Sequence, residues 1–222
     1  MKSLLEVDSI EKSYDYKIIL SNVYLKCETG DIIGVLGKNG TGKSTLLKII
    51  YGILTAEHKF VRIDNKVRLK AYKYKNEISY LPQDNFIPRN FKVSKAISLF
   101  IDKKNVKGFY EDSFIQQIYK QKVNQLSGGE LRYLEIKLIL FCESKFVLLD
   151  EPYNGVSPIM IDSINEMILK SSKNKGVILT DHNYKNVLKV ANQLYLIKDC
   201  STKKLKNKQE LIQLGYLKEG ML

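Results

Sequence analysis

The sequence predicts an α/β fold built around a parallel sheet, and three stretches carry that expectation. "DIIGVLGKNGTGKSTLLKIIYGIL" passes from a short apolar segment through a bare glycine loop into an apolar segment at helical spacing. "FVLLDEP" is a second short apolar run, ending in two carboxylates, and "VILTDHN" is a third, leading into His182. Continuous apolar runs of this length suit strands covered on both faces, which is how parallel sheets are buried.

At 222 residues the chain is long enough for one full α/β domain, 1–222, with a sizeable core. Apolar residues at 44% and charged residues at 27% are ordinary for a soluble globular protein, so disorder is not the leading reading. No apolar run reaches the ~18 to 20 residues needed to span a bilayer, since even Leu46 to Leu54 is broken by Lys48. The start, "MKSLLEVDSIEKSYD", has no continuous apolar stretch of the secretory kind, so a cytoplasmic protein is expected. Cys27, Cys142 and Cys200 are odd in number and far from either histidine, which reads as unpaired thiols in a reducing compartment. The net charge of +12 fits a nucleic-acid partner, an anionic membrane surface or a lysine-rich composition, and charge alone does not choose.

Along the chain, Ile32, Ile33, Val35 and Leu36 form the first buried strand. Gly37, four residues, Gly42, Lys43 and Ser44 then match the phosphate-binding loop pattern, in the strand-to-helix setting that the pattern requires. Glycines at 37, 40 and 42 let the backbone take conformations closed to other residues and bring N–H groups close to phosphate oxygens. Lys43 can neutralise β and γ phosphates, Ser44 can ligate Mg²⁺, and the helix N-terminus adds partial positive charge. Leu46, Leu47, Ile49 and Ile50 supply the helix, and Gly52 stands at its expected C-terminal cap. Arg68 to Lys75, "RLKAYKYK", mixes basic residues with Tyr72 and Tyr74; an edge strand defended by lysines is favoured over a nucleic-acid face.

"LSGGE", Leu126 to Glu130, opens a segment predicted to be amphipathic, with Leu131, Leu134, Leu138 and Phe141 on one face. Ser127 with Gly128 and Gly129 is a plausible helix start whose backbone donors could hold an anion, although a plain cap would also explain the serine. Phe146 to Leu149 supply the next strand, and Asp150 and Glu151 emerge at its carboxyl end, where ligands of open α/β sheets bind. Asp150 fits a Mg²⁺ partner acting through the ion's water and Glu151 a general base, while the pair taken alone reads equally as surface acids. Ser157 and Pro158 suit a cap and first turn for a helix bearing Ile161, Ile164 and Ile168.

Taken together, the phosphate loop, "LSGGE", "FVLLDEP" and "TDHN" resemble, in order and spacing, the nucleotide-binding subunit of an ATP-binding cassette transporter. The resemblance covers almost the whole chain. It implies a P-loop NTPase (RecA-like) core with a mostly parallel sheet, an N-terminal antiparallel β segment and an inserted helical subdomain. Residues 1–84 and 146–222 would form the catalytic core and 85–145 the helical subdomain, with Lys103 to Lys107 as a loop and Ser94 to Phe100 as a coupling surface.

The resemblance further implies ATP and Mg²⁺, with Tyr14 stacked on adenine, Gly37, Asn39, Gly40, Gly42, Lys43, Ser44 and Thr45 around the phosphates, and Ser127, Gly128 and Gly129 on the nucleotide of a second copy. Tyr16 competes with Tyr14 for adenine, since any aromatic ring can stack there. Gln83 in "YLPQ" would touch Mg²⁺ and the attacking water, and His182 the γ-phosphate; Ser44, Gln83 and Asp150 form the metal set. Two ATPase subunits, alike or different, would sandwich two ATP and drive an integral membrane subunit on another chain, from the inner face of the cell membrane. A soluble cassette ATPase acting on ribosomes or DNA, or an ATP-binding switch with little turnover, is the alternative.

Two departures stand out: Glu130 where the family usually has glutamine, expected to face its own helix start, and Ser157 where it usually has aspartate. "GVSP" and "TDHN" look most like the lipopolysaccharide-export and branched-chain amino-acid groups.

Overall fold

The computed structural model describes residues 2–102 and 105–221. The chain runs β1 (Leu4–Tyr14), β2 (Lys17–Glu28), β3 (Ile32–Leu36), α1 (Lys43–Tyr51), β4 (His58–Ile63), β5 (Lys66–Val67) and β6 (Ile78–Leu81). Helices α2 (Val93–Phe100), α3 (Val106–Tyr110), α4 (Ser113–Ile118) and α5 (Gly128–Phe141) follow. Then come β7 (Phe146–Asp150), α6 (Pro158–Ser172), β8 (Gly176–Thr180), α7 (Tyr184–Val190), β9 (Gln193–Lys198), β10 (Ser201–Leu205) and α8 (Glu210–Gln213).

The strands form two sheets. One is antiparallel, in the order β2-β1-β4-β5; the other runs β10-β9-β3-β8-β7-β6 and is parallel except for the β9–β10 pair. The parallel core and N-terminal antiparallel segment are therefore as expected. Residues of β7 alternate between two apolar layers: Phe146 and Leu148 pack with β1, β2 and α1, whereas Val147 and Leu149 pack with α5, α6 and α7. Cover on both faces is why these strands read as unbroken apolar runs.

Helix α5 departs from the sequence expectation. It is buried on every side from Leu131 to Leu140, and its charged residues face partners in place of water. The Arg132 guanidinium donates to the carbonyls of Pro82 (2.7 Å), Asp150 (2.6 Å) and Glu151 (3.0 Å). Glu135 accepts from the N–H groups of Phe86 (2.8 Å) and Ile87 (3.3 Å), and Lys137 donates to Asp112 (2.6 Å). The polar positions that made the helix look amphipathic are thus internal staples: Arg132 fastens the ends of β6 and β7 to the helix, Glu135 the chain at 86–87, and Lys137 the start of α4. Arg132→Ala should cost about 3–5 kcal/mol, because it leaves Glu135 and three carbonyls without their cation. Denaturant unfolding measures this, and a loss below about 1 kcal/mol would mean that water replaces the guanidinium.

Other expectations are corrected locally. Arg68 to Lys75 is not a strand: the edge strand is only Lys66–Val67, and residues 71–73 form a single 3₁₀ turn. Arg68 is drawn inward, pairing with Glu77 (2.7 Å at Nη2) and lying 4.0 Å from the centre of the Tyr74 ring, which bends the chain out of the sheet. Of the loop expected at 103–107, residues 103 and 104 lie outside the described residues, while Val106 and Lys107 already belong to α3. Ser157 holds the cap position of α6 with Pro158 after it, but its side chain makes no capping hydrogen bond. Of the three isoleucines expected on this helix, Ile164 and Ile168 are buried and Ile161 is partly buried.

Candidate active site

The carboxyl ends of β3, β6, β7 and β8 open onto one cavity of about 570 Å³. Tyr14, Ile19, Asn39, Gly40, Gly42, Lys43, Ser44, Thr45, Gln83, Glu151 and His182 line it. These come from five separate stretches of sequence, and the volume lies within the usual range for small-molecule sites.

The glycine loop is shaped as the phosphate pattern requires, though each glycine has its own reason. Gly40 and Gly42 sit at φ 78° and 95°, in the left-handed region. Gly37 does not; a Cβ there would come 2.6 Å from Thr41 Oγ1, so its hydrogen serves close packing, which corrects the conformational reading. A Cβ at Gly42 would lie 2.7 Å from Ile19 Cγ2. Gly42→Ala should therefore cost about 1–2 kcal/mol from its backbone alone, and push Ile19 into the cavity. Thermal unfolding together with ATP titration checks this, with both stability and affinity expected to fall.

Helix α1 begins at Lys43 and aims its unpaired N–H groups at the cavity. The Lys43 ammonium donates to the carbonyls of Gly37 (2.8 Å) and Lys38 (3.1 Å), which arches the loop over it. Burial lowers its pKa, opposed by the nearby carboxylates of Glu151, Asp150 and Asp181. Beneath the loop, Asp150 is fully buried and accepts from Ser44 Oγ (2.9 Å), Thr180 Oγ1 (2.9 Å) and the Tyr80 hydroxyl (3.2 Å).

Opposite the loop stand three polar groups. Gln83 Nε2 donates to Glu151 Oε2 at 3.1 Å, and His182 Nδ1 lies 3.8 Å from the same oxygen. Glu151 has φ 48°, an uncommon conformation for a non-glycine residue, imposed by its N–H bond to the Thr180 carbonyl (2.9 Å) and by Arg132 on its own carbonyl. Asp181, fully buried beside His182, accepts from the N–H groups of Tyr153 (3.1 Å) and Asn183 (2.7 Å). Burial raises its pKa and those N–H bonds oppose the shift. The loop after Glu151 and the turn bearing His182 are thereby tied together.

The two tyrosines separate by turn geometry. Asp15 and Tyr16 form the two-residue turn between β1 and β2 at φ 44° and 66°, which throws the Tyr16 ring fully into solvent. Tyr14, one step before the turn, lines the cavity. Ser127, Gly128 and Gly129 lie elsewhere, at the start of α5, where a Cβ on Gly129 would meet the Gly155 carbonyl at 2.8 Å. Glu130 faces its own helix start: its Oε2 accepts from the Ser127 N–H (2.8 Å) and Ser127 Oγ accepts from the Glu130 N–H (3.3 Å).

Sequence reading missed Arg132, Asp181, Tyr80 and Thr180. An Arg and a Glu three apart inside an otherwise apolar helix was a usable sign for the first. Nothing in the sequence marked Tyr80 or Thr180.

A glycine-cradled loop, a helix N-terminus, a buried lysine and acids at the strand ends define a nucleotide-binding α/β protein of the phosphate-loop class. Residues 20–154 match the ABC transporter family, more than half of the chain. The "Lipopolysaccharide export system ATP-binding protein LptB" of Haemophilus influenzae is 30% identical over 209 residues, covering 88% of this chain and 87% of the relative. Its namesake in Escherichia coli K12 is 31% identical over 209 residues, 87% and 86% of the two chains. In fold, the chain is similar to a solved ATP-binding subunit of an ABC transporter, with TM-score 0.84, 18% identity and coverage of 96% and 93%. It also matches a bacterial Atm1-family ABC exporter with ATP bound, with TM-score 0.82, 16% identity and coverage of 96% of this chain and 40% of that one. The chain belongs to the ABC transporter family, as an ATP-hydrolysing nucleotide-binding subunit.

Proposed function

We infer that this chain is the motor of a membrane transporter, closing with a second ATPase subunit around two molecules of Mg-ATP. The observation that carries the reading is the meeting of Gln83, Glu151 and His182 across one cavity from Lys43 and Ser44. Tyr14 stacks on adenine at the cavity mouth. Asn39, Gly40, Gly42, Lys43, Ser44 and Thr45 surround the triphosphate, with Gly37 shaping the loop from behind. Ser127, Gly128 and Gly129, remote from this cavity, supply anion donors to the nucleotide held by the other subunit.

The Glu151 carboxylate holds the attacking water and takes its proton as oxygen bonds to the γ-phosphorus and the bond to the ADP oxygen breaks. Gln83 and His182 fix the carboxylate and water in line. Lys43 and the loop N–H groups meet the charge spread over the γ-phosphoryl oxygens. Ser44 Oγ, Gln83 Oε1 and Asp150 are hard oxygen donors, and the first and last are already 2.9 Å apart, so they fit Mg²⁺. When bound there, the ion supplies charge neutralisation on the β and γ oxygens.

Each nucleotide touches both subunits, so ATP favours the closed pair and hydrolysis releases it, which is a differential affinity able to move a partner. No described helix is long and apolar enough to cross a membrane, so the pore in this reading is a separate chain. The segment 85–145, with Leu99 and Phe100 exposed at the end of α2, is the part assigned to lean on it, from the cytoplasmic face of the membrane. The likeness to lipopolysaccharide-export ATP-binding proteins makes export of a lipopolysaccharide-like lipid the cargo class to test first. Co-purification from detergent extract is the test. An integral membrane protein recovered with the chain supports the reading, whereas recovery with ribosomes or DNA overturns it.

A further inference from the structure

The Asp150 carboxylate is gripped from three sides. Thr180 stands directly across from it on β8, and its Oγ1 donates to Oδ1 at 2.9 Å. Ser44 Oγ donates to the same oxygen at 2.9 Å from the first turn of α1. The other oxygen, Oδ2, receives the Tyr80 hydroxyl at 3.2 Å. Tyr80 pairs in register with Leu148 on β7, and Asp150 is two residues farther along that strand, so all three side chains share one face of the sheet. Neighbours set diagonally on adjacent strands are too far apart for short side chains to meet, and a phenol spans the gap.

Packing alone does not call for this hydroxyl. Ile78, two residues earlier on the same face of β6, fills the same apolar layer with no polar atom, and the Tyr80 ring is seated 5.2 Å from the ring of Tyr51. A buried hydroxyl costs stability unless it is bonded, and here its acceptor is a carboxylate of the cation set. A phenol keeps its proton at neutral pH, so Tyr80 is a constant donor. Ionised, Asp150 offers about four acceptor positions. Ser44 and Thr180 take two on Oδ1 and Tyr80 one on Oδ2, which leaves one direction, on Oδ2, for a cation or its water. Tyr80 also fixes the turn of the carboxylate about its last side-chain bond, since Oδ2 has no other side-chain donor among the described residues. Because β6 leads directly to Gln83, the same hydroxyl ties the strand carrying one oxygen donor of the set to the strand carrying another.

We propose that Tyr80 is a positioning residue for the Mg²⁺ of the nucleotide site, its hydroxyl holding the Asp150 carboxylate in the orientation that receives the ion. This rests on the motor reading, in which the ion enters with ATP at the Ser44, Gln83 and Asp150 oxygens. It adds a residue that does not line the cavity and acts only through Asp150.

The test is calorimetric titration of the full chain with ATP, in excess Mg²⁺ and again in EDTA, on a Glu151→Gln background that slows hydrolysis. The ratio of the two affinities reports, by linkage, how tightly the bound triphosphate holds its ion. Tyr80→Phe keeps the ring and removes only the oxygen. It should lower this ratio about tenfold, as losing a partner of a metal-binding group does, with the affinity in EDTA unchanged. With Glu151 intact, the Mg²⁺ concentration giving half-maximal phosphate release should rise by a similar factor, and saturating Mg²⁺ should restore most of the rate. Tyr195→Phe is the control: it removes another buried phenol hydroxyl, bonded to the Lys26 N–H at 3.4 Å and away from the cavity lining, and should leave the ratio as it was. An unchanged ratio in Tyr80→Phe, an equal drop in affinity with and without Mg²⁺, or the same shift in Tyr195→Phe overturns the proposal. A chain with Tyr80 in place that binds no ATP under either condition would overturn the motor reading and this inference with it, so the two failures are told apart.

Discussion

Lys43→Ala is expected to weaken ATP binding by about 2–5 kcal/mol, the usual consequence of removing one member of a buried charge pair. Lys43 is only 7% exposed, and the two carbonyls that hold it belong to the loop it would serve. An ammonium has three donors, and those carbonyls take two, so the third remains for a phosphate oxygen. Its buried site penalises the charged form, and a triphosphate would repay that penalty more fully than the nearby carboxylates do. Calorimetric titration with ATP reads the loss, and thermal unfolding shows whether the loop itself has collapsed. Native affinity in a folded Lys43→Ala chain would remove the loop from its assigned role.

Glu151→Gln should lower turnover by about 10²–10⁴-fold, the span of a lost general base, with ATP affinity kept. The amide is nearly isosteric, and the backbone at 151 is held by Thr180 and Arg132, so the left-handed conformation should survive. What changes is basicity: the amide can position water but cannot take its proton. In the proposed cycle hydrolysis releases the closed pair, so the variant should accumulate as an ATP-bound dimer on size-exclusion chromatography. Phosphate release equal to that of the native chain would show that the proton goes elsewhere.

Much of this is legible in the sequence. Strands β3, β7 and β8 announced themselves because cover on both faces leaves no polar position, and the loop between Gly37 and Ser44 because positive φ at Gly40 and Gly42 and close packing at Gly37 all call for glycine. Tyr14 and Tyr16 could not be separated from sequence, since their difference is a turn conformation and not a chemistry. Helix α5 misled for a related reason. Arginine, glutamate and lysine at spaced positions look like a solvated face until their partners are known, and those partners are the carbonyls of Pro82, Asp150 and Glu151, the N–H groups of Phe86 and Ile87, and the Asp112 carboxylate. Arg68 to Lys75 was misjudged because one internal pair, Arg68 with Glu77, decides the path of the chain.

A crystal structure of the Glu151→Gln chain grown with Mg-ATP tests directly where the triphosphate binds. The γ-phosphate should lie on the N–H groups of residues 40–44, near Lys43 Nζ and Gln83, with Ser127 of a second copy closing over it. A triphosphate seated away from residues 37–45, or no nucleotide at saturating concentration, would contradict it.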